Sequence, residues 1–133
     1  MVKSKSCLVD SDFLIALARK EDASHKLAKK IFSERVSFGE IKITSLVLME
    51  ATTVMSHKGG MEGARKFYGI VKNLVDEIIF VDQELMEEGW EVFLKQTKKG
   101  TSFIDSMNLA IAQKYKFDKI LSFDEFYPKN LLI

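Results

Sequence analysis

Cysteine and proline are almost missing from this chain: Cys7 and Pro128 are the only ones in 133 residues. One cysteine can form no internal disulfide and offers no C-x-x-C metal pair. At the start of the strand-like stretch Cys7-Leu8-Val9, Cys7 reads as a small core residue. Long hydrophobic runs are missing as well. The longest candidates, such as Ile78-Ile79-Phe80-Val81, are strand-sized, far below the roughly 20 residues of a membrane helix. The polar, basic start Met1-Val2-Lys3-Ser4-Lys5-Ser6 is followed only by Cys7-Leu8-Val9 before Asp10, which is no signal-peptide core. A cytoplasmic address, with no membrane partner, is the expectation. An excess of charge of one sign is also lacking, since 20 basic and 19 acidic residues leave a net +1. That excludes recognition of nucleic acid by bulk charge; any polyanion must be met by local cations, with the acids gathered elsewhere.

What is present is a globular pattern. Apolar residues make up 47% of the chain, enough for a buried core, and the length suits a single domain over 1–133. Cys7-Leu8-Val9 reads as a buried strand, followed by a helix through Phe13, Leu14, Ala16 and Leu17. Asp22-Ala23-Ser24 breaks the pattern and can cap a second helix bearing Leu27, Ala28, Ile31 and Phe32. Ile41-Lys42-Ile43-Thr44 is a strand. Ser45 can cap a helix through Val47, Ala51 and Met55, which Gly59-Gly60 would end. Another helix carries Ala64, Phe67, Val71 and Leu74. Ile78-Ile79-Phe80-Val81 is the clearest strand, and Asp82 caps a helix with Leu85, Met86, Trp90 and Phe93. After the basic loop Lys98-Lys99-Gly100-Thr101-Ser102 comes a helix with Ile104, Met107 and Ile111. Lys119-Ile120-Leu121-Ser122 is a strand, and Leu131-Leu132-Ile133 a candidate edge strand. This alternation predicts an α/β fold: three layers, α/β/α, around a mostly parallel five-stranded sheet.

In an open sheet of this kind, ligands bind at the carboxyl ends of the strands. Asp10 ends the first strand and Asp124 lies just past the fourth. Glu50 lies about one and a half turns into the helix after the second strand. Asp105 sits in the first turn of the helix leading to the fourth strand. Glu50 has no charged neighbour in Leu46-Val47-Leu48-Met49-Glu50-Ala51, which predicts burial, and a buried carboxylate needs a partner. Carboxylates that converge without counter-charges must share protons or hold a cation, and oxygen-only ligands suit Mg²⁺ or Mn²⁺. Each acid also has a bland reading. Asp10 can be a helix N-cap, Ser102 and Asp105 resemble a capping box, Ser122-Phe123-Asp124-Glu125 can be a plain turn, and Glu50 can be salt-bridged or half-exposed. Asn108, one turn after Asp105, reads as its orienting partner. Ser122 is the strand-end hydroxyl nearest Asp124, and Asp12 can be cap, ligand or supporting acid. His25 and His57 show no ligand spacing and read as surface residues.

Taken in order, Leu8-Val9-Asp10-Ser11-Asp12-Phe13-Leu14, Ser45-x-x-x-x-Glu50, Phe103-Ile104-Asp105-Ser106 leading to Ala110-Ile111-Ala112, and Ile120-Leu121-Ser122-Phe123-Asp124-x-Phe126 resemble a PIN domain over essentially the whole chain. The resemblance implies a five-stranded parallel sheet and a Mg²⁺- or Mn²⁺-dependent endoribonuclease with Asp10, Glu50, Asp105 and Asp124 at the core acidic positions. Ser122 matches a position where the family often has Thr or Ser, whereas Asp12 stands where Asn or Ser is frequent. By its size the chain resembles the VapC-type toxins of toxin–antitoxin pairs, which implies a homodimer neutralised by a small antitoxin protein.

Guidance of an RNA backbone would fall to Arg19, Lys20, Lys98 and Lys99, the last two just before the Asp105 helix. Phe103, Phe126 and Tyr127 are either base-stacking or core aromatics. Two other readings compete. Asp10-Ser11-Asp12 after a first strand also suits a haloacid-dehalogenase-like phosphatase, although no Gly-Asp-x-x-x-Asp follows and Phe13 replaces the usual Thr or Val. The domain could also be a non-catalytic PIN scaffold that binds a protein.

Overall fold

The computed structural model describes residues 5–35 and 39–132. In chain order its elements are β1 (Lys5–Val9), α1 (Ser11–Ala18), α2 (His25–Arg35), β2 (Gly39–Thr44), α3 (Ser45–Leu74), β3 (Glu77–Ile79), α4 (Gln83–Leu94), α5 (Phe103–Lys114) and β4 (Lys119–Leu121). The four strands run parallel in the order β3-β2-β1-β4. β1 lies inside the sheet because its last three residues, Cys7, Leu8 and Val9, are apolar and both its faces are covered there, as a parallel strand requires. Cys7 and Val9 face one side, Leu8 the other, and all three are buried.

Those two faces carry two cores, which gives the three layers. On the first face Cys7, Val9, Ile41 and Ile43 pack with Phe13 and Leu14 of α1, Ala28 of α2, and Val47, Ala51 and Phe67 of α3. On the second, Leu8 and Ile120 pack with Leu85 of α4 and Met107 and Ile111 of α5. Gly89 of α4 is required by this second layer: a Cβ there would run into the sulfur of the fully buried Met107. Cys7 is a core residue, as its setting predicts. Among the described residues no helix is long and apolar enough to cross a membrane.

Three local expectations need correction. The fifth strand is reduced to a single parallel bridge between Leu132 and Ile120; Ile133 lies outside the described residues. The last segment reaches the β4 edge through a short turn, with Leu131 N and Leu132 N both donating to Pro128 O, and this leaves no length for a ladder. The N-cap of α3 is Thr44, whose hydroxyl accepts from Val47 N at 3.1 Å. Ser45 is the first helical residue, and its hydroxyl instead accepts from Val81 N. Gly59-Gly60 does not end the helix. Gly60 takes φ 66, ψ −172, a conformation open to glycine, and α3 kinks there and resumes.

Candidate active site

β1 has β2 on one side and β4 on the other, so the chain's path through the sheet reverses at β1. The crevice beyond the carboxyl ends of β1 and β4 is therefore the place where an α/β sheet binds ligands. Asp10 is the first residue past β1. Its backbone N–H still donates to Leu121 O at 3.0 Å, pinning it to the end of β4. It caps α1, with Oδ1 accepting from Ser11 N at 2.8 Å. The cap and the site are one residue, because Oδ2 is left to face the crevice.

Oδ2 of Asp10 accepts from Ser122 Oγ and from Tyr127 Oη, each at 3.0 Å. Tyr127 Oη also lies 3.2 Å from Asp105 Oδ1; with one proton to give, the hydroxyl bridges the two carboxylates. Asn108 Nδ2 donates to Asp10 Oδ1 and to Tyr127 Oη, both at 3.2 Å. Asn108 thus holds Asp10 and the tyrosine rather than Asp105, contrary to the expectation from its place one turn along α5. Ser102 caps α5, its hydroxyl accepting from Asp105 N at 3.2 Å. The reciprocal bond of a capping box is replaced by the turn of the Asp105 side chain toward Tyr127. Asp12 accepts from Phe123 N at 3.1 Å and from Ser122 Oγ, which ties the start of α1 to the end of β4. The Asp124 backbone N–H donates to Ser122 Oγ at 3.0 Å, and its Oδ1 accepts from Phe126 N in a tight turn.

Asp10, Asp105 and Asn108 are buried, and among the described residues no lysine or arginine forms an ion pair with Asp10, Asp12, Asp105 or Asp124. The consequence is electrostatic. Burial pushes Asp105 up to about 8, and the charges of Asp10 and Asp124 add to it. Burial raises Asp10 as well, against the hydrogen bonds that favour its charged form. Asp12 rises to about 6 through loss of hydration and then the charge of Asp10. Burial and the two carboxylates push the Tyr127 phenol up, so it stays a proton donor. Burial and mutual repulsion, with no ion-paired cation among the described residues, thus raise the proton affinity of Asp10, Asp12 and Asp105 together. Asn108 Oδ1 is buried with no partner, a further acceptor without a donor. Among the described residues no three Asp, Glu, His or Cys side chains stand in finished ligand geometry; the Tyr127 and Ser122 hydroxyls set the carboxylate spacing instead.

Glu50 is not drawn into this set. It is exposed, and no contact that knits the aspartates together involves it. The expectation of burial fails because apolar neighbours do not all point inward on a helix. Val47, Ala51 and Met55 face the core, whereas Met49 is 58% exposed and Glu50 lies on the flank of the buried stripe. Lys98 and Lys99 are exposed in the loop before α5. His57 is exposed, but His25 is half-buried, with Nδ1 2.8 Å from Ala16 O. The residue that sequence reasoning missed is Tyr127. It is treated there only as an aromatic; its position three residues past Asp124, in the segment after β4, is the one signal that could have flagged it.

The switch point of this α/β sheet thus carries clustered aspartates that, among the described residues, have no ion-paired counter-charge. The chain belongs to the PIN domain family, whose model matches residues 7–129. It is similar to the 23S rRNA-specific endonuclease VapC20 of Mycobacterium tuberculosis, with 26% identity over 116 residues, 87% of each chain. In three dimensions it is similar to the crystal structure of that VapC20, described as a sarcin-ricin loop cleaving toxin, with a TM-score of 0.80 and 24% identity over 90% of this chain and 91% of that one. It is also similar to VapBC2 from Rickettsia felis bound to a DNA fragment from their promoter, with a TM-score of 0.73 and 16% identity over 96% and 97%.

Proposed function

We propose that the chain is a Mg²⁺- or Mn²⁺-dependent endoribonuclease, the toxin of a toxin–antitoxin pair, acting in the cytoplasm as a single PIN domain. The observation that carries this reading is the pair of buried carboxylates, Asp10 and Asp105, bridged by one tyrosine hydroxyl beside Asp124 with no ion-paired cation among the described residues. Support comes from the VapC20 relative, an RNA endonuclease by name, and from the VapBC2 neighbour, a complex. A homodimer and a small antitoxin partner are part of the proposal.

In this reading Asp10, Asp105 and Asp124 hold the ion, while Glu50 enters from the family resemblance alone. Such an ion supplies Lewis acidity at the scissile phosphate and makes the attacking water easier to deprotonate. The chain's own residues do the rest. Asp105, held beside Asp10 through the Tyr127 hydroxyl, would offer the ion a carboxylate oxygen in place of the proton it keeps without metal. Ser122 and Asn108 fix Asp10 so that its Oδ2 faces the crevice, and Asp12 locks the β4 end against α1. The phosphatase reading is disfavoured by Asp12, whose carboxylate is occupied by Phe123 N and the Ser122 hydroxyl rather than free to act as an acid.

Incubation of the purified chain with total RNA and with p-nitrophenyl phosphate, in Mn²⁺ and in EDTA, tests the assignment. RNA cleavage in Mn²⁺ only is expected; cleavage that survives EDTA, or turnover of the phosphomonoester alone, would refute it. Tyr127→Phe isolates the bridge. The ring remains to fill the core, so the fold should persist, while Mn²⁺ affinity by calorimetry should fall about tenfold or more, the usual effect of losing a group that orients ligands. An unchanged affinity would reduce Tyr127 to packing.

A further inference from the structure

Two cavities lie on the side of the molecule formed by α1 and α3, and one residue, Lys58, lines both. The first, about 350 Å³, begins at the candidate active site: Asp12 and Phe123 are in its wall, and these two are joined by the Phe123 N to Asp12 bond. Ile15, Val54, Ser24 and a second acid, Asp22, whose Oδ1 accepts from Ser24 N, continue the wall toward Lys58. The second, about 450 Å³, lies beyond Lys58, between the end of α1 and the kink of α3, and falls within the size range of ligand sites.

The two cavities differ in charge. The second is lined by Arg19, Lys20, Lys58 and Lys66 against Glu21 and Glu62. Glu62 is already paired with Lys66 at 3.4 Å. Among the described residues no ion pair engages Arg19, Lys20 or Lys58, so the cavity keeps a net positive charge. Gly59 is in its wall, and a Cβ there would meet nothing within 4 Å. Together with the α3 kink at Gly60, this leaves the approach to the backbone after Lys58 open. A chain of net charge +1 therefore gathers cations at the far end of a groove whose near end is acidic. A polyanion attracted to the cations and excluded from the acids, except where an ion neutralises them, would be aligned by that gradient.

We propose that this groove is the track of the substrate strand: single-stranded RNA whose scissile phosphate lies at Asp10 and Asp105 runs past Asp12 and Phe123, crosses Lys58, and seats its next phosphates on Arg19 and Lys20. Phe123, already stacked on Phe13 with ring centroids 5.3 Å apart, offers a held aromatic edge in the first cavity. The proposal rests on the ribonuclease reading. It moves the RNA contact away from Lys98 and Lys99, neither of which lines either cavity.

The test compares wild type, Lys58→Ala, Lys58→Glu, Arg19→Ala and a Lys98→Ala/Lys99→Ala double variant. Steady-state cleavage of a labelled single-stranded oligoribonucleotide is followed in Mn²⁺ over a range of KCl, and Mn²⁺ affinity is measured separately by calorimetry. Lys58 is exposed, so its variants should fold and bind Mn²⁺ as wild type does. Lys58→Glu should raise KM at least tenfold with little change in kcat. Lys58→Ala and Arg19→Ala should each lower the salt slope by about 0.7, the value for one lost phosphate contact on a single strand. The double variant should stay within twofold of wild type. Unchanged KM and salt slope in the Lys58 variants, with wild type active, would overturn the track alone and leave the groove to something other than RNA. A wild-type chain that binds Mn²⁺ yet cleaves no RNA would overturn the ribonuclease reading and this proposal with it.

Discussion

Asp10→Asn and Asp105→Asn are each expected to lower Mn²⁺-dependent RNA cleavage on the order of 10³-fold or more, the scale seen when one member of a catalytic unit is removed. The fold should remain. Asparagine is close to aspartate in shape, and at position 10 its carbonyl oxygen can still accept from Ser11 N and Asn108 Nδ2, as Oδ1 does now. At position 105 the change removes a charge that is buried and faces two other carboxylates. The metal-free Asp105→Asn chain should therefore be at least as stable as wild type near pH 8, while its Mn²⁺ affinity drops steeply. Loss of both activity and metal binding with a retained thermal midpoint separates a site defect from a folding defect. Wild-type cleavage in both variants would remove these aspartates from the chemistry.

The second expectation concerns pH and metal together. Asp105 near 8, Asp12 near 6 and a raised Asp10 all hold protons more firmly in the folded chain than in the unfolded one, where an aspartate titrates near 4. Between about pH 4 and pH 8 the folded state then binds more protons. Stability follows the proton excess of the unfolded state, so the contribution of these groups is full below pH 4 and is lost as pH rises through 6 and then 8. Metal-free protein should melt at progressively lower temperature over that window. A divalent ion replaces the protons, and its benefit should grow with pH. At 100 times its Kd a ligand adds about 2.7 kcal/mol, on the order of 10 °C for a domain of this size. Melting curves at pH 5, 6, 7 and 8, with EDTA or with Mn²⁺, test this. A Mn²⁺ effect absent at pH 8, or larger at pH 5 than at pH 8, would contradict a carboxylate ion site.

The rest of the molecule shows which inferences sequence supports. Leu8 and Val9 before Asp10, and Ile120 and Leu121 before Ser122, identify two buried strands that each end in polar residues, and that is enough to put Asp10 and Ser122 on one rim. The caps at Asp10, Asp82 and Ser102 were readable because an N-cap is a contact with the chain's own next turn. Glu50 shows the limit. Its apolar neighbours said nothing of direction, since a helix turns about 100° per residue and Met49 and Glu50 turn outward. The α3 kink was read as a stop because Gly59-Gly60 is compatible with either, and only the packing of Phe67 and Val71 against the same core decides that the helix resumes.

Sequence alone determined the alternation of strands and helices, the parallel sheet and a rim shared by Asp10 and Asp124, because each follows from local periodicity and from where an apolar strand stops; Glu50, expected on the same rim, stays exposed, and Asp105, whose helix starts after a loop, was joined to the site only by the fold. The partners of those acids were decided only by the tertiary structure. Tyr127 lies 117 residues from Asp10 and Asn108 lies 98 from it, separations over which neither propensity nor spacing carries information. Whether a carboxylate gains a hydroxyl, a cation or open water is set by which distant side chain the folded core leaves beside it.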